Sequence, residues 1–160
     1  MTPISTNVTL LLSSIGLGLV LSAANPVLDH ASATKVSLLQ RQLTASVQTF
    51  VDRYGFLPGD LPDAINQFGS NGKNGDGNGA MTPGKAQTAW AQLAASGLVE
   101  DSLPKIRGVD QIGLTAVDGQ LALSLKGTRP AVKEELQRIY SASFRYSLIP
   151  NQQMLLLTVN

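Results

Sequence analysis

The sequence predicts an α+β fold. One long N-terminal helix, apolar in its first half and amphipathic in its second, is expected to pack on a small four-stranded antiparallel sheet. Three observations predict it. The segment Val8–Ala24 carries no charge, and the charge-free stretch runs from Met1 to Leu28. Val36, Leu39, Leu43, Val47, Phe50 and Tyr54 then recur at intervals of three or four, which places one apolar stripe on a helix face. Further on, Asp118-Gly119 separates two apolar runs, and Leu121, Leu123 and Leu125 alternate as they do in a half-buried strand.

The apolar start is long enough for a helix that needs about 20 residues to cross a bilayer, although Ser, Thr and Gly dilute it. Three readings compete. It is a cleaved signal peptide, with Ala31-Ser32-Ala33 as the small-residue cleavage site. It is a retained anchor. Or it is an anchor that also packs against copies of itself in a filament, where Gly16 and Gly18 permit close backbone approach. Residues 1–7 lack the Lys or Arg of a signal peptide, and the helical pattern continues past the apolar run, so retention is favoured. Pro26 removes a helical hydrogen bond and predicts a kink or a locally melted turn. Residues 7–54 would span about 70 Å if continuous.

Three units follow: a membrane-like helix over 1–28, an amphipathic stalk over 29–54 and a globular head over 55–160. The head begins in a segment rich in Gly and Pro, Tyr54-Gly55-Phe56-Leu57-Pro58-Gly59-Asp60-Leu61-Pro62-Asp63, which cannot be helix or strand interior. Leu57-Pro58-Gly59-Asp60 suits a tight turn, with Asp60 capping a short helix and Asp63 near its positive end. Beyond it, Asn74, Asp76 and Asn78 stand at alternate positions before Gly79, like the first half of a calcium loop. The twelfth position from Asn74 is Lys85 rather than a bidentate Glu, which excludes an EF-hand. Two readings stay open: a looser calcium site on Asn74, Asp76 and Asn78, or a self-bonded Asx turn.

Thr82 or Pro83 opens a helix to about Ser96, closed by Gly97, with Trp90, Leu93 and Ala94 on its apolar face. Strands at 111–117 and 120–125, a charged helix from Pro130 to about Tyr140, and strands at 143–149 and 153–159 complete the head. The stripe ending at Tyr54 would cover one face of the sheet and leave the other free.

Composition excludes most chemistry. The 160 residues are 14% charged with a net charge of +1, against about 25% charged in a usual globular chain. That gives no electrostatic case for nucleic acid. With no Cys and the single His30, there are no disulfides, no thiolate metal sites, and no partners for Cys or Ser-His-Asp catalysis. The expectation is a protein that is not an enzyme.

The apolar helix, its amphipathic continuation and the sheet-bearing head resemble type IV pilins and the pseudopilins of type II secretion. The similarity rests on Phe50-Val51-Asp52-Arg53-Tyr54-Gly55-Phe56-Leu57-Pro58-Gly59-Asp60, on Asn74-Gly75-Asp76-Gly77-Asn78-Gly79, on Ala89-Trp90-Ala91-Gln92-Leu93 and on Ser96-Gly97-Leu98-Val99, within residues 5–100. The resemblance implies a structural subunit of a bacterial envelope filament or secretion pseudopilus, of the minor kind. It would reside at the inner membrane and in a surface or periplasmic filament, with other pilin-like subunits as partners through the N-terminal helix. The start departs from the family pattern. If Pro26 takes the place of the family's helix proline, cleavage would fall between Ile4 and Ser5, and the family's glutamate position falls on Thr9. A shortened start, a subunit at a filament tip or a homologue outside filaments would each accommodate this. The alternative from another class is an exported soluble binding protein, periplasmic or extracellular, freed of its first 33 residues.

Overall fold

The structure, a computed structural model, describes the backbone of residues 4–62, 75–140, 146–149 and 154–158, and the side chains of 25–62 and 75–140. Helix α1 runs from Ile4 to Tyr54, 51 residues or about 77 Å at 1.5 Å per residue. It passes through Pro26 without a break, so of the kink or melted turn expected there, the melted turn does not form. Proline deletes only its own donor, and helical pairing resumes on both sides. The remaining elements are α2 (Pro83–Ala95), β1 (Gln111–Val117), β2 (Gln120–Lys126), α3 (Pro130–Tyr140), β3 (Tyr146–Ile149) and β4 (Met154–Thr158).

Local chemistry explains their limits. Thr82 caps α2 by accepting the Lys85 backbone N–H at 3.4 Å, and Pro83 takes the first helical position, where no donor is needed. The other end is a Schellman closure: Gly97 at φ +73° donates to the Ala94 carbonyl, and Leu98 donates to Leu93. Between β1 and β2, Asp118 (φ +51°) and Gly119 (φ +76°) form the two-residue turn that the Asp-Gly pair predicts, with Val117 opposite Gln120.

The apolar stripe of α1 enters the core. Val36, Leu39, Leu43, Val47 and Phe50 are buried with Leu121, Leu123 and Leu125 of β2, Val132, Leu136 and Tyr140 of α3, and Ala86, Ala89 and Leu93 of α2. The α1 backbone comes closest to α3. There, Asp29, 5% exposed, pairs with Arg129 at 3.3 Å, and His30 meets Glu135 at 3.3 Å. Deeper in the same interface, the Tyr140 hydroxyl donates to Gln40 Oε1 at 3.4 Å. Burial raises the Tyr140 pKa, against the opposing influence of Ser37 and Arg41.

Two parts of the expected architecture need correction. The first is the long helix covering one face of a four-stranded antiparallel sheet whose other face stays free. The fold is mixed, with three helices among the described residues, and the sheet whose side chains are described is the two-stranded β1–β2 unit; backbone pairing continues through β4 to β3. β2 is not half-buried. Ala122 and Ser124 point away from Leu121, Leu123 and Leu125, yet all five are buried, so neither face of this strand is free. Helix α2 packs beside β1, and on the second face Ser124 sits opposite the side-chain-free Gly113, with its hydroxyl 3.2 Å from where a Cβ of Gly113 would lie. The pattern of alternate leucines was real, but Ala and Ser are small enough to be covered without announcing it in hydropathy. The second correction concerns the membrane: among the described residues, no helix is long and apolar enough to cross one.

Candidate functional site

The site is the junction between the end of α1 and the start of α2. Asp60 donates its N–H to the Leu57 carbonyl at 2.9 Å, and Gly59 takes φ +88°, which makes Leu57–Asp60 a turn with glycine at its third position. Gly59 also lies so close to the Lys85 backbone that a Cβ would overlap it. Its N–H donates to the Oε1 of Gln92 at 2.5 Å, which ties the turn to α2. The second loop then crosses the first. Gly75 donates to the Leu61 carbonyl and Gly77 to the Asp60 carbonyl, both at 3.0 Å, and Pro62 and Gly75 form an isolated parallel bridge.

That crossing builds a nest around the Asp60 carboxylate, which is fully buried. Gly77 N–H donates to Oδ1 at 3.1 Å and Gly79 N–H to Oδ2 at 2.8 Å. The Lys85 ammonium donates to Oδ1 at 2.5 Å. The same ammonium donates to Asp76 Oδ1 at 2.5 Å, Asn78 Oδ1 at 3.0 Å and the Ala80 carbonyl at 3.0 Å. Four oxygens from four residues therefore converge on one nitrogen, whose side chain is 11% exposed.

The ring of oxygens is itself held in place. Asp76 accepts the Asn78 backbone N–H at 3.2 Å and its side-chain amide at 3.0 Å, and Asn78 accepts the Ala80 N–H at 2.8 Å. Hydrogen bonding to Lys85 draws the exposed Asp76 carboxyl below the usual carboxylate value. Desolvation works to lower the Lys85 pKa, but hydrogen bonds and charge from Asp60 and Asp76 outweigh it and leave it raised. Both groups are thus held in their charged forms at neutral pH.

Of the residues singled out for calcium, Asp76 and Asn78 come together, with their oxygens on Lys85; Asn74 lies outside the described residues. Asp60 does not cap a helix among the described residues; its carboxylate takes loop N–H groups and the ammonium instead, and Asp63 lies outside the described residues. Sequence reasoning missed Lys85 as a site residue. Its signal was its place at the twelfth loop position, where a calcium loop has its last ligand. Among the described residues, no group of three or more His, Cys, Asp or Glu gathers as a metal site.

Two further recesses lie among the described residues. A recess of about 110 Å³ lies beside Trp90, lined also by Leu39, Val99 and Glu100, and one of about 270 Å³ lies along Ile106–Ile112. Ligand pockets usually hold about 300–1,000 Å³. Among the described residues, the junction holds an ion cluster made of salt links and backbone donors. No family model, curated protein or solved structure matches the chain.

Proposed function

We propose that the chain is a non-enzymatic structural subunit of a bacterial envelope filament or secretion pseudopilus, resembling prepilin-type proteins. Its N-terminal helix packs against other subunits, and the head is displayed from it. The reading places the protein at the inner membrane before assembly and in the filament afterwards.

One observation supports it above the others: the candidate signal-peptidase segment is part of the packed fold. Ser32 and Ala33 are 4% and 0% exposed, and Asp29 just before them is paired with Arg129, the residue preceding α3. Cleavage after Ala33 would cut a continuous helix inside its own interface and remove the Asp29–Arg129 and His30–Glu135 links. A leader meant for removal has no reason to be built into the product. Toward the start of α1 the helix leaves that interface, and Val27 is 68% exposed. The charge-free sequence before it has the small and apolar residues that suit packing against partner helices.

The test is expression in a bacterial envelope, followed by membrane fractionation, intersubunit crosslinking from positions 8–28 and N-terminal sequencing. The expected product keeps the residues that precede Pro26 at its start, fractionates with membranes and crosslinks through α1. A soluble monomer beginning at Thr34 would establish an exported binding protein and sink the proposal.

A further inference from the structure

We infer that Lys85 is a tethered cation: its ammonium takes the place that a free divalent ion would hold in the junction loop, and closes that loop without metal. The inference concerns the head alone and does not depend on the filament reading.

Two independent features carry it. The first is the buried charge. Asp60 is fully buried, and an ionised carboxylate in that position must be matched by a positive group. Among the described residues, Lys85 is its ion-pair partner. The second is the donor set. Asp60, Asp76, Asn78 and the Ala80 carbonyl are all hard oxygens converging on one point, the ligand chemistry that calcium selects. An ammonium has three protons for these four acceptors, so at least one proton is shared.

Two further acceptor sites on each carboxylate are taken by the loop's own donors, Gly77 and Gly79 on Asp60 and the backbone and side-chain amides of Asn78 on Asp76. The oxygens thus face inward whether the centre is nitrogen or metal. A chain-borne cation has one advantage over an ion: it is present at every external ion concentration. It has one cost, since three directional donors cannot fill the six to eight positions that calcium would.

Thermal unfolding of the full-length protein in calcium and in chelator tests this, with Lys85→Met as the variant. The native protein melts at the same temperature in both. Lys85→Met leaves Asp60 buried and unpaired, melts about 10 °C lower in chelator, and rises again in millimolar calcium. Adding Asp60→Asn to that variant abolishes the calcium response. A native melting temperature that climbs with calcium overturns the inference. So does a Lys85→Met protein that melts with the native one or ignores calcium. If Lys85→Met does not fold, amine acylation of the native protein read by mass spectrometry decides. Lys85 labels more slowly than the exposed Lys105 and Lys126, with or without calcium, and labelling at their rate overturns the inference.

Discussion

Gly75→Ala is the most demanding test of the crossed loops. A Cβ at this position would overlap the Cα, carbonyl carbon and carbonyl oxygen of Asp60. All three belong to backbone, so no side chain can rotate away, and the two loops must part. Parting them strains the Gly75–Leu61 and Gly77–Asp60 hydrogen bonds, each 3.0 Å. Overpacking against rigid atoms costs about 1–3 kcal/mol. Two weakened hydrogen bonds add about 0.5–1.5 kcal/mol each. The expected loss is about 2–6 kcal/mol, a large share of the roughly 5–15 kcal/mol that holds a domain folded.

Urea unfolding followed by fluorescence of Trp90, the single tryptophan, measures it. With a mid-range slope of about 2 kcal/mol per molar urea, the midpoint falls by about 1–3 M. Gly84→Ala is the internal control. Gly84 lies inside α2 with open space around its Cβ position and no positive φ, so alanine there stabilises by about 0.4–1 kcal/mol. Composition treats these two glycines alike, whereas the crossing gives them opposite signs. A Gly75→Ala midpoint equal to the native one, or both variants shifting in the same direction, would refute the crossing.

Truncating Phe50, fully buried in the stripe of α1, to alanine should cost about 3–5 kcal/mol in the same assay. The loop also predicts a pH profile with two limbs. Lys85 has a raised folded pKa, so its contribution is full below the unfolded value of 10.5 and is lost as pH rises through the higher folded value. Asp76 has a lowered folded pKa, so its contribution is full above 3.8 and is lost as pH falls through the lower folded value. Melting temperature against pH should therefore fall at both ends, with the Lys85→Met variant flatter than the native protein at each. Tyr140, raised mainly by burial, adds to the alkaline limb in the same sense, and Tyr140→Phe separates its share.

How far the fold could be read from the sequence depended on how local each signal was. The stripe from Val36 to Phe50, the Asp118-Gly119 turn and the Thr82 and Gly97 ends of α2 each depend on a few neighbouring residues, and all sit where the periodicity and caps place them. What covers β2 is not local. Alternating leucines imply one buried face, and the burial of Ala122 and Ser124 comes from partners distant in sequence that hydropathy does not name. The α1–α3 links are equally non-local: Asp29 and Arg129 are ordinary polar residues until the chain is folded.

The junction shows the same limit in its chemistry. Asn74, Asp76 and Asn78 drew notice because alternate oxygens are a recognisable pattern, and Lys85 entered only as the residue that spoiled an EF-hand. In the fold, that exclusion and the cluster have one cause. A cation at the twelfth position fails as a ligand because it takes the role of the ion. Asp60 could not be seen as part of this group, since it lies 25 residues before Lys85 and reaches it only through the loop crossing at Gly75. Motif reasoning asks which residues could ligate a metal. It has no means of recognising a side chain that supplies the charge itself. An oxygen-rich loop that carries a Lys at a ligand position is therefore better read first as a charge-balanced loop, and as a metal site only if the lysine can be shown to point elsewhere.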